Sequence, residues 1–155
     1  MKTLWDWSSD VYAAPGVADA CLHLQDDAGQ NVPLLLWAAW IAKTGRHPDA
    51  ETLEAACDTA RAWTDTTILP LRTLRRAIKN PIPDMGDLAR ELVRDRVKAA
   101  ELEAEKHLLA ALELLAPTPD GDPRPAIEGL VETARLRSRV VPRPALTALA
   151  ERLPA

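Results

Sequence analysis

The sequence predicts an all-α protein: a helical bundle around a buried central helix, with a short C-terminal helical appendage. Three observations predict it. Apolar residues recur at helical spacing through most of the chain, and no stretch shows the period-two alternation of a strand. One segment, Asn31 to Thr44, is apolar almost throughout. A later stretch, 117–125, holds four prolines and a glycine and excludes helix and sheet alike.

Residues 3–28 read as two short helices separated at Pro15-Gly16, where proline disfavours continuation and glycine permits a turn. Ser8, Ser9 or Asp10 is placed to cap part of this segment, and Val17, Cys21, Leu22 and Leu24 give its second helix an apolar side. The central helix follows. Asn31 is its N-cap, Pro33 falls in the first turn where its missing N–H is an orphan anyway, and Gly45 stands just past its end. A helix that is apolar on every side belongs in the interior, because any surface placement turns Leu, Trp or Ile toward water. At about 21 Å it is too short for a bilayer, which needs roughly 20 apolar residues.

Asp49 is placed to cap the next helix, read over about 50–79. Its stripe runs through Leu53, Ala56, Cys57, Ala60, Ile68, Leu71 and Ile78 and survives Pro70, which predicts a kink or brief interruption rather than a break. Residues 84–115 carry the longest periodic pattern, with Asp84 as cap and Leu88, Leu92, Val93, Val97, Ala104, Leu108 and Leu112 on the inward face. At 1.5 Å per residue this helix measures about 48 Å and forms the backbone of the bundle. The domain organisation read from these signals is a bundle over 1–116, a Pro-rich linker over 117–125 and an appendage over 126–155. Two short helices, 126–137 and 143–153, make up the appendage and dock on the bundle or on another molecule. On this reading a chain ending at Ala116 keeps its fold.

A chain of 155 residues fits one domain and buries roughly two thirds of its unfolded surface without a metal or disulfide staple. The net charge of −4 gives no whole-molecule attraction to nucleic acid or acidic membranes. Charge is uneven: 3 basic and 9 acidic groups lie in 1–60, 9 and 5 in 61–100, and 7 and 9 in 101–155. Cys21 and Cys57 are too distant for a metal set or a disulfide framework, which points to a reduced, cytoplasmic setting. No basic segment followed by an apolar core opens the sequence, so no secretory signal is expected.

The middle of the chain holds the chemistry. Arg61, Arg72, Arg75 and Lys79 flank the stripe of one helix, while Arg94, Lys98, Glu101 and Glu105 line one side of the next. Glu101 and Glu105 are like charges one turn apart and call for a compensating cation, for which Arg72 and Arg75 are the candidates. Two outcomes are open: a structural interhelical network, or an anion-binding pocket completed by Gln25 and Asp26. Glu-x-x-His pairs, zinc-spaced cysteines, a Gly-rich phosphate loop and a nucleophile elbow are all absent, so no metal, no cofactor and no particular catalytic residue is expected. His107 falls on the apolar side of the long helix, as a core or boundary histidine.

Trp7, Tyr12, Gly16-Val17, Cys21-Leu22, Leu24-Gln25-Asp26, Gly29, Asn31-Val32, Leu34-Leu35-Leu36, Trp40, Trp63, Pro70-Leu71-Arg72, Arg75, Lys98, Glu101-Leu102 and Glu105 together resemble the uncharacterised proteobacterial DUF2390 family. The similarity covers about residues 4–110 and is most specific where Leu-Gln-Asp runs into the Leu-Leu-Leu helix. It departs from the family pattern at Pro33 and Thr64. The resemblance implies no activity, cofactor or catalytic residue. The functional expectation is a non-enzymatic binding or adaptor protein that recognises a partner protein, or a further copy of itself, through a helical face. The alternative is a small-molecule site, of an anion-binding protein or of an enzyme, at Arg72/Arg75 and Glu101/Glu105, and nucleic acid is not an expected partner given the acidic groups around each basic stretch.

Overall fold

The computed structural model describes residues 2–154. Its helices are α1 (Leu4–Tyr12), α2 (Val17–Asp26), α3 (Val32–Lys43), α4 (Ala50–Trp63), α5 (Leu69–Ala77), α6 (Asp87–Leu115), α7 (Ala126–Ala134) and α8 (Arg143–Arg152), and no strand occurs among the described residues. None of these helices is long and apolar enough to cross a membrane.

The uniform hydrophobicity of α3 has a direct cause: the helix serves two cores. Leu34, Trp37, Ala38, Trp40 and Ile41 pack with α1, α4 and α6 on one side. Leu35, Leu36 and Ala39 pack with α1, α2, α7 and α8 on the other. Every residue from Leu34 to Ala42 is buried. Asn31 caps the helix as its sequence predicts, with Oδ1 accepting from Leu34 N–H at 3.0 Å and Nδ2 donating to Thr64 Oγ1 at 2.7 Å.

The interruption expected near Pro70 is a π-helical turn, Thr64–Ile68, inserted between α4 and α5. Pro70 itself sits in the first turn of α5, directly after the π-helical turn. The α1 cap is Thr3, whose side chain accepts from Asp6 N–H, and not Ser8, Ser9 or Asp10. Asp84 does not cap α6. It lies in the left-handed region with φ 65°, and the helix begins after Gly86.

The inward face of α6 also differs from the apolar pattern. Leu88, Leu92 and Val93 are exposed, whereas Arg90, Val97, Glu101, Ala104, Leu108 and Leu112 are buried. Arg90 and Glu101 occupy the inward stripe because α5, which packs there, offers them polar partners: Arg90 Nη1 donates to Ile78 O at 3.4 Å, and Glu101 meets two arginines. A reading that places only apolar residues inside therefore rotates the stripe toward Leu88 and Leu92.

The C-terminal helices are not a free appendage: they dock on the bundle, one of the two placements the sequence leaves open. Leu130, Val131, Ala134, Leu146 and Leu149 are buried, and they form one cluster with Leu35, Leu36, Ala39 and the apolar face of α2. The approach of α7 to α3 is close enough to require glycine: a Cβ on Gly129 would lie 2.7 Å from Ala38 O. The Pro-rich stretch is not a free linker either. Asp120 N–H and Gly121 N–H donate to Gly45 O at 3.0 and 3.1 Å, and Arg124 N–H donates to Ala42 O at 2.8 Å. It straps the C-terminal end of α3, whose last carbonyls have no partners within the helix.

Candidate functional site

The basic edge of α5 and the acidic edge of α6 meet. Glu101 is the hub, accepting from Arg75 Nε at 2.6 Å and from Arg72 Nε at 3.4 Å. Arg72 and Glu101 are almost wholly buried, with side chains 10% exposed, and Arg75 is partly covered. Arg72 also reaches Glu105, with Nη2 3.7 Å from Oε1. The helical spacing that places Glu101 and Glu105 one turn apart thus presents both to Arg72, while Arg75, one turn beyond Arg72, closes on Glu101 alone.

Gln25 and Asp26 enter from α2. Gln25 donates to Asp26 Oδ1 at 3.2 Å, and Arg76 spans from α5 to the same oxygen at 3.3 Å. The Gln25 amide, then Arg76, hold the Asp26 carboxyl below the usual carboxylate range. Arg76, which the helical arithmetic turns outward, is thus the residue that ties α5 to α2. Lys98 is not brought in: it is exposed on α6 and makes no ion pair among the described residues.

Beside this network lies an open cleft of about 420 Å³ between α1, α2, α6 and the start of α3. Its walls are mainly apolar, with Trp5, Leu36, Leu102 and Leu109 contributing, and its one ionisable acid is Glu105. Ser8, Ser9, Tyr12, Cys21 and Gln25 supply the other polar side-chain atoms. Burial, and next the charge on Glu101, push the Glu105 carboxyl up. The Tyr12 phenol at the rim is raised by burial, with Cys21 and Glu105 adding to it, so it stays protonated. Burial pushes the Cys21 thiol up to about 12, which leaves it a neutral packing group rather than a nucleophile. Ser8 is 5% exposed, and its hydroxyl oxygen has no hydrogen-bond partner.

Ser8 is a residue that sequence reasoning passed over as a site member, and Tyr12 and Leu102 entered only through the family resemblance. A signal for Ser8 was present: Leu4, Ser8 and Val11 share the buried face of α1, so a hydroxyl stands in an apolar stripe. His107, expected at the core or its boundary, is exposed. It stacks on Trp63 at 6.3 Å between ring centroids and lies 3.6 Å from Glu103. Among the described residues no three His, Cys, Asp or Glu side chains converge as a metal site.

The family model described as "Protein of unknown function (DUF2390)" matches residues 3–112. That span contains the whole ion network and every residue lining the cleft. No curated protein and no solved structure matches the chain.

Proposed function

This chain belongs to DUF2390, a family described as of unknown function, and from that premise we propose that it is a non-catalytic binding protein whose cleft takes a small ligand. The observation that carries the reading is the cleft of about 420 Å³, with apolar walls and a few convergent polar groups, beside an ion network that is already paired. Such a volume falls within the range of small-molecule pockets, about 300–1,000 Å³. Because Arg72 and Arg75 both bond Glu101 and neither lines the cleft, the network reads as structural support behind Glu105. No histidine lines the cleft to activate its hydroxyls, which favours binding over catalysis. The free, buried cysteines support a reducing, cytoplasmic setting.

Titration with N-phenyl-1-naphthylamine, a neutral apolar probe whose emission rises on burial, tests the cleft. The parent should give saturable one-to-one binding. Ala13→Trp, which fills the mouth from an exposed position on the cleft wall, should weaken it at least tenfold while leaving helicity unchanged. Equal binding by both proteins would place the site elsewhere.

Recognition of a partner protein is a second reading, favoured by the exposed Leu88 and Leu92 on one side of α6. A Leu88→Ser/Leu92→Ser variant should abolish association with partners or with itself, read by sedimentation and affinity capture, without affecting the probe. A variant that associates as the parent does would count against that reading.

A further inference from the structure

Resting on the ligand-cleft reading above, we infer that the cleft selects a ligand with an apolar body and a cationic or strongly donating head, such as a primary amine, which docks on Glu105 and Ser8. The argument is one of unfilled hydrogen-bonding capacity. Among the described residues Glu105 is the only charged side chain on the cleft wall. Its one ion-pair contact among them is Arg72, at 3.7 Å, beyond hydrogen-bond distance and turned more closely toward Glu101 at 3.4 Å. Among the described residues its second oxygen, Oε2, has no ionic or hydrogen-bond partner. A carboxylate accepts up to four hydrogen bonds, and one that is partly withdrawn from water gains most from a donor that also carries positive charge.

Ser8 points to the same kind of head independently. Its hydroxyl oxygen is buried, belongs to a residue on the same cleft wall and has no partner, so hydrogen-bonding capacity there is unfilled. An ammonium has three donors in a tetrahedral array, enough for an acceptor on each of these residues. Tyr12 and Gln25 stand on the same wall and can take a remaining donor. An anionic head meets the opposite situation: the nearby guanidiniums are committed to Glu101, and Glu105 repels it. The body of the ligand is set by Trp5, Leu36, Leu102 and Leu109, which offer apolar contact and no further charge.

The test uses three compounds with one apolar body, 4-phenylbutylamine, 4-phenylbutanol and 4-phenylbutyrate, as competitors of bound N-phenyl-1-naphthylamine at neutral pH. In the parent the amine should displace the probe at a concentration at least tenfold below the alcohol, with the carboxylate weakest. Glu105→Gln should bind the probe as the parent does but lose the advantage of the amine over the alcohol. Ser8→Ala, an independent variant that keeps the carboxylate, should lower the amine affinity severalfold and leave the alcohol less affected. Equal competition by amine and alcohol in the parent, or an amine preference that survives Glu105→Gln, would overturn the head-group assignment while leaving the cleft as a binding site. Absence of probe binding in the parent would instead remove the cleft reading itself.

Discussion

A chain ending at Ala116 is expected to lose its cooperative unfolding transition. Truncation strips Leu130, Val131, Leu146 and Leu149 from the core that α3 shares with α2. Burying four such side chains at about 1.5–3 kcal/mol each contributes on the order of 6–12 kcal/mol, as much as the whole net stability of a typical domain. The cut also removes the strap donors at Asp120, Gly121 and Arg124, so the carbonyl of Gly45 loses its partners and that of Ala42 keeps only local ones. Circular dichroism during heating should show reduced helicity and a broad, weakly sigmoidal melt. A truncated protein that melts sharply near the parent would mean that α1 to α6 hold a sufficient core alone.

The second large effect is expected at the hub of the ion network. Glu101→Ala leaves Arg72 buried and Arg75 partly buried, facing each other without the carboxylate both now bond. Breaking a buried pair in this way typically costs about 3–5 kcal/mol, because the remaining charge stays withdrawn from water. Glu105 softens the loss only through its contact with Arg72 at 3.7 Å. Arg76→Ala, which breaks an exposed pair with Asp26, should cost under about 1 kcal/mol. Chemical denaturation of both variants checks the contrast. Similar small losses would mean that the network lies more open to water than its burial implies.

The fold was legible in the sequence wherever local chemistry decides it. Asn31 and Asp49 cap their helices as their positions suggest, and Gly45 adopts a left-handed conformation just past α3. The interruption near Pro70 was visible as a stripe that persists through a proline, though nothing in the sequence separates a kink from a π-helical turn. Whether the C-terminal helices dock on the bundle or on another molecule was not legible, for a physical reason. Prolines report that a segment is not helical, but they say nothing about whether it is free or strapped down, and that depends on carbonyls 75 or more residues away.

The site was legible by halves. Glu101 and Glu105, spaced one turn apart, require a cation, and Arg72 and Arg75 supply it. The cleft was not legible, because an empty space belongs to no single segment: α1, α2, α3 and α6 each contribute a wall whose own pattern is that of an ordinary amphipathic helix. Lys98 shares a helix with Glu101 and Glu105 yet stands outside the network, since α5 approaches α6 on one flank only.

The two-sided burial of α3 has a consequence for how the protein is made. Synthesis runs from the N-terminus, and the helix that covers one face of α3 ends at Ala134, 91 residues after Lys43. At about 5–20 residues per second, that interval lasts about 5–18 s. During it the nascent chain carries Leu35, Leu36 and Ala39 without the α7 and α8 side chains that finally enclose them. The half-covered helix then exposes apolar surface of the kind that makes nascent chains aggregation-prone, and the last fifth of the polypeptide acts as the lid that ends its exposure.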